Sequence, residues 1–177
     1  SLLEKHVSET TGIDVSWPML AAAKKRCCRS RLVKGDLTKN SSIIEEKYDL
    51  VTAFRFFLNA QTELRESALK VIHKKMTSGG HLIVNFHLNP QSITGFYLRF
   101  RFWLNGSTRT MMSVNESKDL LWNCGFNPLE VHGYGYLFHR REYVRLPYLR
   151  GSLEKKLAQI NPWPSVAMNF IIIAQPR

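Results

Sequence analysis

The feature that most constrains the fold of this chain is a regular alternation of short apolar strands with helix-forming segments. Strands are predicted at residues 11–15, 31–34, 48–54 and 81–87. Helices are predicted at 17–26, with Ser16 as the N-cap, and at 61–76, where Gly79-Gly80 stop the helix. Strands that alternate with helices form β-α-β units, which place the strands parallel in one sheet. Several of these strands are nearly continuous apolar runs, as expected where helices cover both faces. The sequence therefore predicts an α/β fold built on a doubly wound, mostly parallel sheet.

The later part of the chain predicts an antiparallel edge to that sheet. A Ser-x-x-Glu capping box at 113–116 opens a short helix that ends at Gly125. Two strands follow at 131–138 and 167–174 and are expected to pair antiparallel. Segments 88–112 and 139–165 do not fit the alternation, and we interpret them as insertions in a single domain of residues 1–177.

Charge and composition limit the class of partner and compartment. The chain has 25 Lys and Arg against 14 Asp and Glu, a net charge of +11, which favours nucleic acid, an acidic lipid surface or a phosphorylated substrate. A basic solvated surface without a ligand explains the charge equally well. No apolar run is long enough to span a membrane. The three cysteines, two of them adjacent and none in metal-ligand spacing, argue against a disulfide scaffold or a zinc site and favour the reducing cytoplasm.

Two carboxylates stand at or just beyond the ends of the first two predicted strands. In a doubly wound sheet, ligands bind beyond the carboxyl ends of the strands, which is where Asp14 and Asp36 lie. One such carboxylate can accept hydrogen bonds from both ribose hydroxyls, and the next can accept one from an exocyclic amine. Together they suit an adenosine. The alternative is that both residues only cap loops and helices.

Five short motifs resemble one enzyme family in order and spacing. They are Gly12-Ile13-Asp14-Val15-Ser16 with Met19-Leu20, Lys34-Gly35-Asp36-Leu37, Tyr48-Asp49-Leu50-Val51 with Phe54, Ser78-Gly79-Gly80-His81-Leu82-Ile83-Val84, and Gly125-Phe126. Across nearly the whole chain, this pattern resembles the class I S-adenosylmethionine-dependent methyltransferases, nearest to their small-molecule and lipid members. The resemblance implies their Rossmann-like sheet and S-adenosylmethionine as the cofactor.

The resemblance also implies roles for residues after the first two strands. Asp14 would bind the ribose hydroxyls, while Ser16 and Met19 would border the adenosine, with Met19 packed on the adenine. Asp36 would accept from the adenine amine, and the backbone N–H of Leu37 would face the ring. A methionine at helical spacing is more often a core residue, which is the alternative for Met19.

Further along the chain, Phe54 and Arg55 would lie beside the methionine portion of the cofactor. The family's first strand and glycine-rich loop would precede Ser1, and no GxGxG occurs in the sequence. We therefore expect a chain that is incomplete at its N-terminus, with the first strand and half of the cofactor site missing. Such a chain is expected to be poorly stable and to bind the cofactor weakly.

Candidates for the chemistry follow the third and fourth strands. His87 ends the fourth strand and has the chemistry of a general base near neutral pH, although a hydrogen-bonded structural histidine is the alternative. Arg55 and Asn59 follow the third strand and could orient an acceptor, or could serve only the loop and a helix cap. The sequence after Phe54 is Arg-Phe-Phe-Leu-Asn, not the Asn-Pro-Pro-Tyr type of the amino-group methyltransferases that act on nucleic acids.

The segment at 96–104 is rich in aromatics and arginines. Its position after the fourth strand favours a helical lid over the acceptor, with Phe96, Phe100 and Trp103 lining an apolar pocket. Plain packing, stacking on nucleic acid bases and peripheral contact with an anionic membrane are the alternatives. The sequence thus predicts methyl transfer to a small-molecule or lipid-like acceptor. The alternative function is a basic nucleic-acid-binding module, or an RNA methyltransferase, on the same fold.

Overall fold

The computed structural model describes residues 3–39, 44–57, 60–106, 110–137 and 147–177, with the backbone alone at 147–150. The chain divides into two compact units, Ser1–Glu46 and Lys47–Arg177, which are described separately below. Among the described residues, no helix has both the length and the apolar character needed to cross a lipid bilayer.

The first unit is a parallel strand pair with a helix in the connection. A short 3-10 turn precedes β1 (Thr11–Asp14), α1 (Trp17–Lys24) and β2 (Arg31–Lys34). Strands β1 and β2 pair parallel, with Asp14 opposite Lys34, so that both strands end at the same edge. Helix α1 begins after Ser16, as predicted, with Pro18 in its first turn, where a missing N–H is harmless. The β-α-β connection predicted from the alternation is therefore present.

The second unit is a mixed sheet with helices between its strands. Its elements are β3 (Tyr48–Ala53), α2 (Thr62–Lys74), β4 (Met76–Phe86), α3 (Ile93–Leu104), α4 (Val114–Asn123), β5 (Phe126–Tyr134), α5 (Pro147–Ile160) and β6 (Asn169–Pro176). The strand order is β3-β4-β6-β5. β3 and β4 are parallel, whereas β6 pairs antiparallel with both β4 and β5. The parallel pairs and the antiparallel C-terminal edge confirm the predicted fold class.

The boundary between α2 and β4 differs from the prediction. The helix ends at Lys74 and β4 begins at Met76, which lies opposite Tyr48. Gly79 and Gly80 were expected to stop the helix, yet both lie inside the strand. A Cβ at Gly80 would stand 3.1 Å from the Asp49 carbonyl oxygen. The glycine there lets two strands approach closely at a register shift, a role that local sequence signals do not separate from helix termination.

A column of aromatic rings forms part of the core of the second unit. Phe86 of β4 stacks on Phe170 of β6 with ring centroids 5.4 Å apart, and Phe57 stacks on Phe86 at 6.0 Å. Phe170 is fully buried, and Phe57 and Phe86 are each 3% exposed. This column lies next to the loops that leave β3 and β4, and therefore supports the residues that follow those strands.

The segment at 96–104 is helical, as the lid interpretation predicted. Helix α3 begins after Ser92, whose hydroxyl accepts a hydrogen bond from the Gly95 N–H at 2.8 Å. Gly95 is buried so closely against the Asn89 backbone that a Cβ would overlap its carbonyl oxygen. The first turn of α3 is therefore fixed to the loop after β4.

The predicted capping box at the start of α4 is present in full. Ser113 Oγ accepts from the Glu116 N–H, and the Glu116 carboxylate accepts from the Ser113 N–H and hydroxyl at 2.7 Å each. The Ser113 backbone N–H, followed by its hydroxyl, lowers the pKa of Glu116 below its ordinary value. A carboxyl group with a lowered pKa in the folded state stabilises the fold above its unfolded pKa and loses that contribution as pH falls through the folded value.

Ser113→Ala is therefore expected to lower the free energy of unfolding by about 1 kcal/mol at neutral pH. The difference between the two proteins should shrink in acid, because the Glu116 carboxylate is then protonated in both. Urea unfolding at pH 7 and at acidic pH measures this. Ser152→Ala, on the exposed side of α5, is the control and should leave stability unchanged or slightly higher. A difference that grows in acid would contradict the assignment.

Candidate functional site

The carboxylate of Asp14 closes β1 with one oxygen engaged and one open. Its Oδ1 accepts a hydrogen bond from the Ser16 N–H at 2.7 Å. Among the described residues, Oδ2 has no hydrogen-bond partner. One oxygen thus holds the turn into α1, as expected if Asp14 only caps that turn. The other oxygen is free for a ligand. The two roles are compatible in the same side chain.

Asp36 lies two residues beyond β2 and has a similar division. Its Oδ1 accepts from both the backbone N–H and the hydroxyl of Thr38, at 2.9 and 2.6 Å. Its Oδ2 is 4.0 Å from the Lys39 ammonium. The Thr38 hydroxyl, with the Thr38 N–H, lowers the pKa of Asp36. Asp36 is therefore an ionised acceptor at neutral pH, and its outer oxygen is only loosely paired.

The remaining residues predicted for the adenosine also belong to the first unit, on the start of α1 and on the turn that follows β2. Met19 is 60% exposed on α1, so it is not a core residue. Ser16 is half-buried at the start of α1. The Leu37 N–H donates to no atom of the described residues. Trp17, which no sequence motif marks, is 66% exposed, with the Lys34 ammonium 5.9 Å from its ring centroid.

In the second unit, Phe54 and Arg55 form the turn that leaves β3. Both side chains are exposed. Arg55 has a φ of 58°, a left-handed conformation that is uncommon for a residue with a side chain. Its N–H donates to Asn85 Oδ1 at 2.6 Å, which holds this conformation in place. Strained backbone of this kind is concentrated at ligand-binding turns.

Asn85 is the centre of a buried polar network at the end of β4. Because the Arg55 N–H can only donate, the atom it meets must be the amide oxygen of Asn85. The Asn85 amide nitrogen then donates to His87 Nε2 at 2.7 Å and to the Tyr134 hydroxyl at 3.1 Å. Asn85 is only 3% exposed, so these partners replace the water that it lost on folding.

The same reasoning fixes the state of His87. The Leu88 N–H donates to Asn169 Oδ1, which identifies that atom as the oxygen and makes it the acceptor for His87 Nδ1–H at 3.0 Å. His87 therefore has its proton on Nδ1, and its Nε2 lone pair is engaged by Asn85. With both ring nitrogens bonded, this geometry favours the structural alternative for His87 over the general-base hypothesis.

A small pocket opens beside this network. It lies where β3 and β4 end and is lined by Phe57, Arg65, Asn85, Phe86, His87, Leu88, Thr110 and Met112. Asn59, which was expected to orient an acceptor, lies outside the described residues. Asn85 itself could have been suspected, since it is a single polar residue inside an apolar strand. Tyr134 and Asn169 carry no such signal.

The predicted acceptor residues lie on α3. Phe96, Phe100 and Trp103 are 72, 55 and 75% exposed, at the spacing of one helical face. Phe100 and Trp103 contact each other, with ring centroids 6.1 Å apart. In the structure they form an open apolar face rather than the lining of an enclosed pocket.

Comparison with known proteins finds a family model that matches the first part of the chain and solved structures that share the fold. Residues 1–84 match the model of a methyltransferase domain family. None of the curated proteins matches the chain.

Three solved structures illustrate the proteins whose fold this chain shares. A SAM-dependent methyltransferase from Thermotoga maritima, described as a possible histamine N-methyltransferase, has a TM-score of 0.65 and 19% identity, over 95% of this chain and 73% of that one. Magnesium protoporphyrin IX methyltransferase from Synechocystis PCC 6803, with bound SAH, has a TM-score of 0.63 and 15% identity, over 99% and 67%. The pyocyanin biosynthetic protein PhzM has a TM-score of 0.60 and 14% identity, over 96% of this chain but 43% of its own length. At these identities the likeness establishes the fold.

Proposed function

We propose that this chain is a class I S-adenosylmethionine-dependent methyltransferase, which the methyltransferase-domain match of residues 1–84 and the shared fold support. The proposed function is transfer of a methyl group from S-adenosylmethionine to a small-molecule or lipid-like acceptor. The observation that carries the proposal is the pair of strand-end carboxylates, Asp14 and Asp36, each with one oxygen held by its own turn and the other left for a ligand. The three cysteines do not form a disulfide or zinc pattern in the sequence, and on that basis we propose the reducing cytoplasm as the compartment.

The chemistry of these residues fits an adenosine. The open oxygen of Asp14 can accept from ribose hydroxyls, and the ionised Asp36 can accept from an adenine amine. The exposed Met19 offers an apolar surface to the ring, and the Leu37 N–H offers a donor to a ring nitrogen. Ser16 borders the same turn. Each group therefore matches the polarity of the atom assigned to it.

Phe54 and Arg55, which follow β3, are proposed to bind the methionine portion of the cofactor. When bound, S-adenosylmethionine supplies an electrophilic methyl group on a sulfonium. The Arg55 N–H holds their turn to Asn85, and the exposed side chains of Phe54 and Arg55 are proposed to contact the methionine portion. The main contribution of the protein to catalysis is to hold the acceptor in line with this methyl group. With its Nε2 lone pair engaged by Asn85, His87 is proposed to hold the Asn85 amide in place rather than to remove a proton.

Helix α3 is proposed to cover the acceptor. Its exposed apolar face would be sheltered when an apolar acceptor and the helix meet, and exclusion of water favours the transfer. A cluster of exposed apolar side chains on one helical face is a common mark of an interaction site. Arg99 and Arg101 lie exposed on the same helix, which is the feature that keeps the nucleic-acid alternative open.

Trp103→Ala tests the acceptor role of α3. Loss of a large apolar contact is expected to lower kcat/KM for an apolar acceptor about tenfold or more, with the affinity for S-adenosylhomocysteine unchanged. The assay is transfer of a labelled methyl group to a panel of small apolar alcohols, phenols, amines and acids. Trp122→Ala, an exposed tryptophan on α4, is the matched control.

The alternative function makes a different prediction for the same helix. If α3 binds RNA, Arg99→Ala and Arg101→Ala should weaken RNA binding and reduce its salt dependence. Loss of salt-dependent RNA binding in these variants, with methyl transfer untouched, would replace the lid by the nucleic-acid-binding module.

A further inference from the structure

Helix α2 carries a buried cation in its first turn. Arg65 is only 3% exposed. One terminal nitrogen, Nη2, donates to the carbonyl oxygens of Phe57 and Thr110, but at 3.4 Å in each case. Hydrogen bonds from a charged donor are usually about 2.7–2.9 Å, so these two are weak. The Nε atom is fully buried and has no hydrogen-bond partner among the described residues.

No carboxylate of the described residues pairs with this guanidinium. Of the 14 acidic residues, only Glu142 lies outside the described part of the chain. The nearby Glu66 faces Lys70 instead, at 3.7 Å. Burial lowers the pKa of Arg65, but an arginine stays protonated in proteins. A buried positive charge without a counterion is costly, so an anion that binds beside it would offset that cost.

The position of Arg65 indicates where such an anion would bind. The guanidinium lines the pocket at the ends of β3 and β4, together with Asn85, His87 and Thr110. Ligands of this sheet type bind at that edge. In the same pocket, the Asn85 and His87 side chains use their polar atoms on each other, so that Arg65 is the strongest donor left for a ligand.

We propose that the methyl acceptor carries a carboxylate, and that the Arg65 guanidinium anchors this carboxylate in the pocket. This inference rests on the proposed methyl transfer and adds the chemical class of the substrate. The flat fork of a guanidinium matches the two oxygens of a carboxylate. Arg65 acts as a specificity-determining residue, since an uncharged acceptor leaves its charge uncompensated.

The test compares 4-hydroxybenzoate with 4-hydroxybenzamide, which has nearly the same shape but no charge. Binding to the whole chain is measured by NMR titration without cofactor. The wild type should bind the acid about 10- to 100-fold more tightly than the amide, as expected for charge-assisted hydrogen bonds. Arg65→Met should abolish this preference, and Arg65→Lys should retain part of it. Lys70→Met, which removes an exposed cation from the same helix, should leave the preference intact.

Several results would overturn the inference. They are equal binding of acid and amide by the wild type, a preference that survives in Arg65→Met, and tighter binding of phenyl phosphate than of the acid. If Arg65→Met fails to fold, the wild-type preference and its reduction in Arg65→Lys decide the matter. Arg65-dependent binding of the acid, with no methyl transfer to any acceptor, would leave the anion site standing and refute the proposed function.

Discussion

Phe170→Ala is expected to lower the free energy of unfolding of the second unit by about 3–5 kcal/mol. The phenyl ring is fully buried, and its stacking on Phe86 joins β6 to β4. Its removal costs both the transfer of the ring from water and the cavity left beneath the stack. The loss is expected to reach the site as well, because Phe86 immediately precedes His87 on the chain.

Equilibrium unfolding in urea, followed by circular dichroism, measures this loss. Phe96→Ala is the matched control, since the same atoms are removed from a ring that is 72% exposed. The control should change stability by no more than about 0.5 kcal/mol. Similar losses in the two variants would mean that the aromatic column does not hold the sheet together.

Asp14→Ala is expected to weaken S-adenosylhomocysteine binding by about 1–3 kcal/mol, because the ribose hydroxyls lose a charged acceptor. Asp36→Ala should weaken it in the same assay through the adenine amine. S-adenosylhomocysteine is the ligand of choice, since it keeps the adenosine and lacks the reactive methyl group. Calorimetry or NMR titration gives the affinities.

Two further variants separate binding from folding. Asp14→Asn keeps an oxygen for the Ser16 N–H but loses the charge. This variant should therefore fold normally and bind S-adenosylhomocysteine more weakly than the wild type does. Asp49→Ala removes a carboxylate from the opposite end of a strand, where it accepts from Thr77, and should bind like the wild type. Normal affinity in Asp14→Asn would remove Asp14 from the proposed site.

Much of the fold follows from local sequence signals. Strands β1, β2 and β3 are short apolar runs with clear ends, and the capping box at Ser113 marks the start of α4 without tertiary information. The end of α2 was mispredicted, because glycines usually stop helices, whereas Gly80 serves a close approach between β3 and β4. That approach exists only once the two strands have paired.

The site was predictable only where it lies close to a strand end. Asp14 and Asp36 could be selected by position, since the fold class places ligands beyond parallel strands. The network of Asn85, Tyr134 and Asn169 could not be predicted, because its members come together only through the pairing of β4, β6 and β5. The burial of Arg65 was also hidden, since an arginine in a helix is normally on the surface.

The most direct test of the account is an NMR titration of the whole labelled chain with S-adenosylhomocysteine, which detects binding even when it is weak. We expect the backbone amides around Asp14 and those of Asp36 and Leu37 to shift in the wild type, and these shifts to be lost in Asp14→Asn. Shifts that avoid both strand ends, or that persist unchanged in Asp14→Asn, would contradict the assignment of these carboxylates to the cofactor.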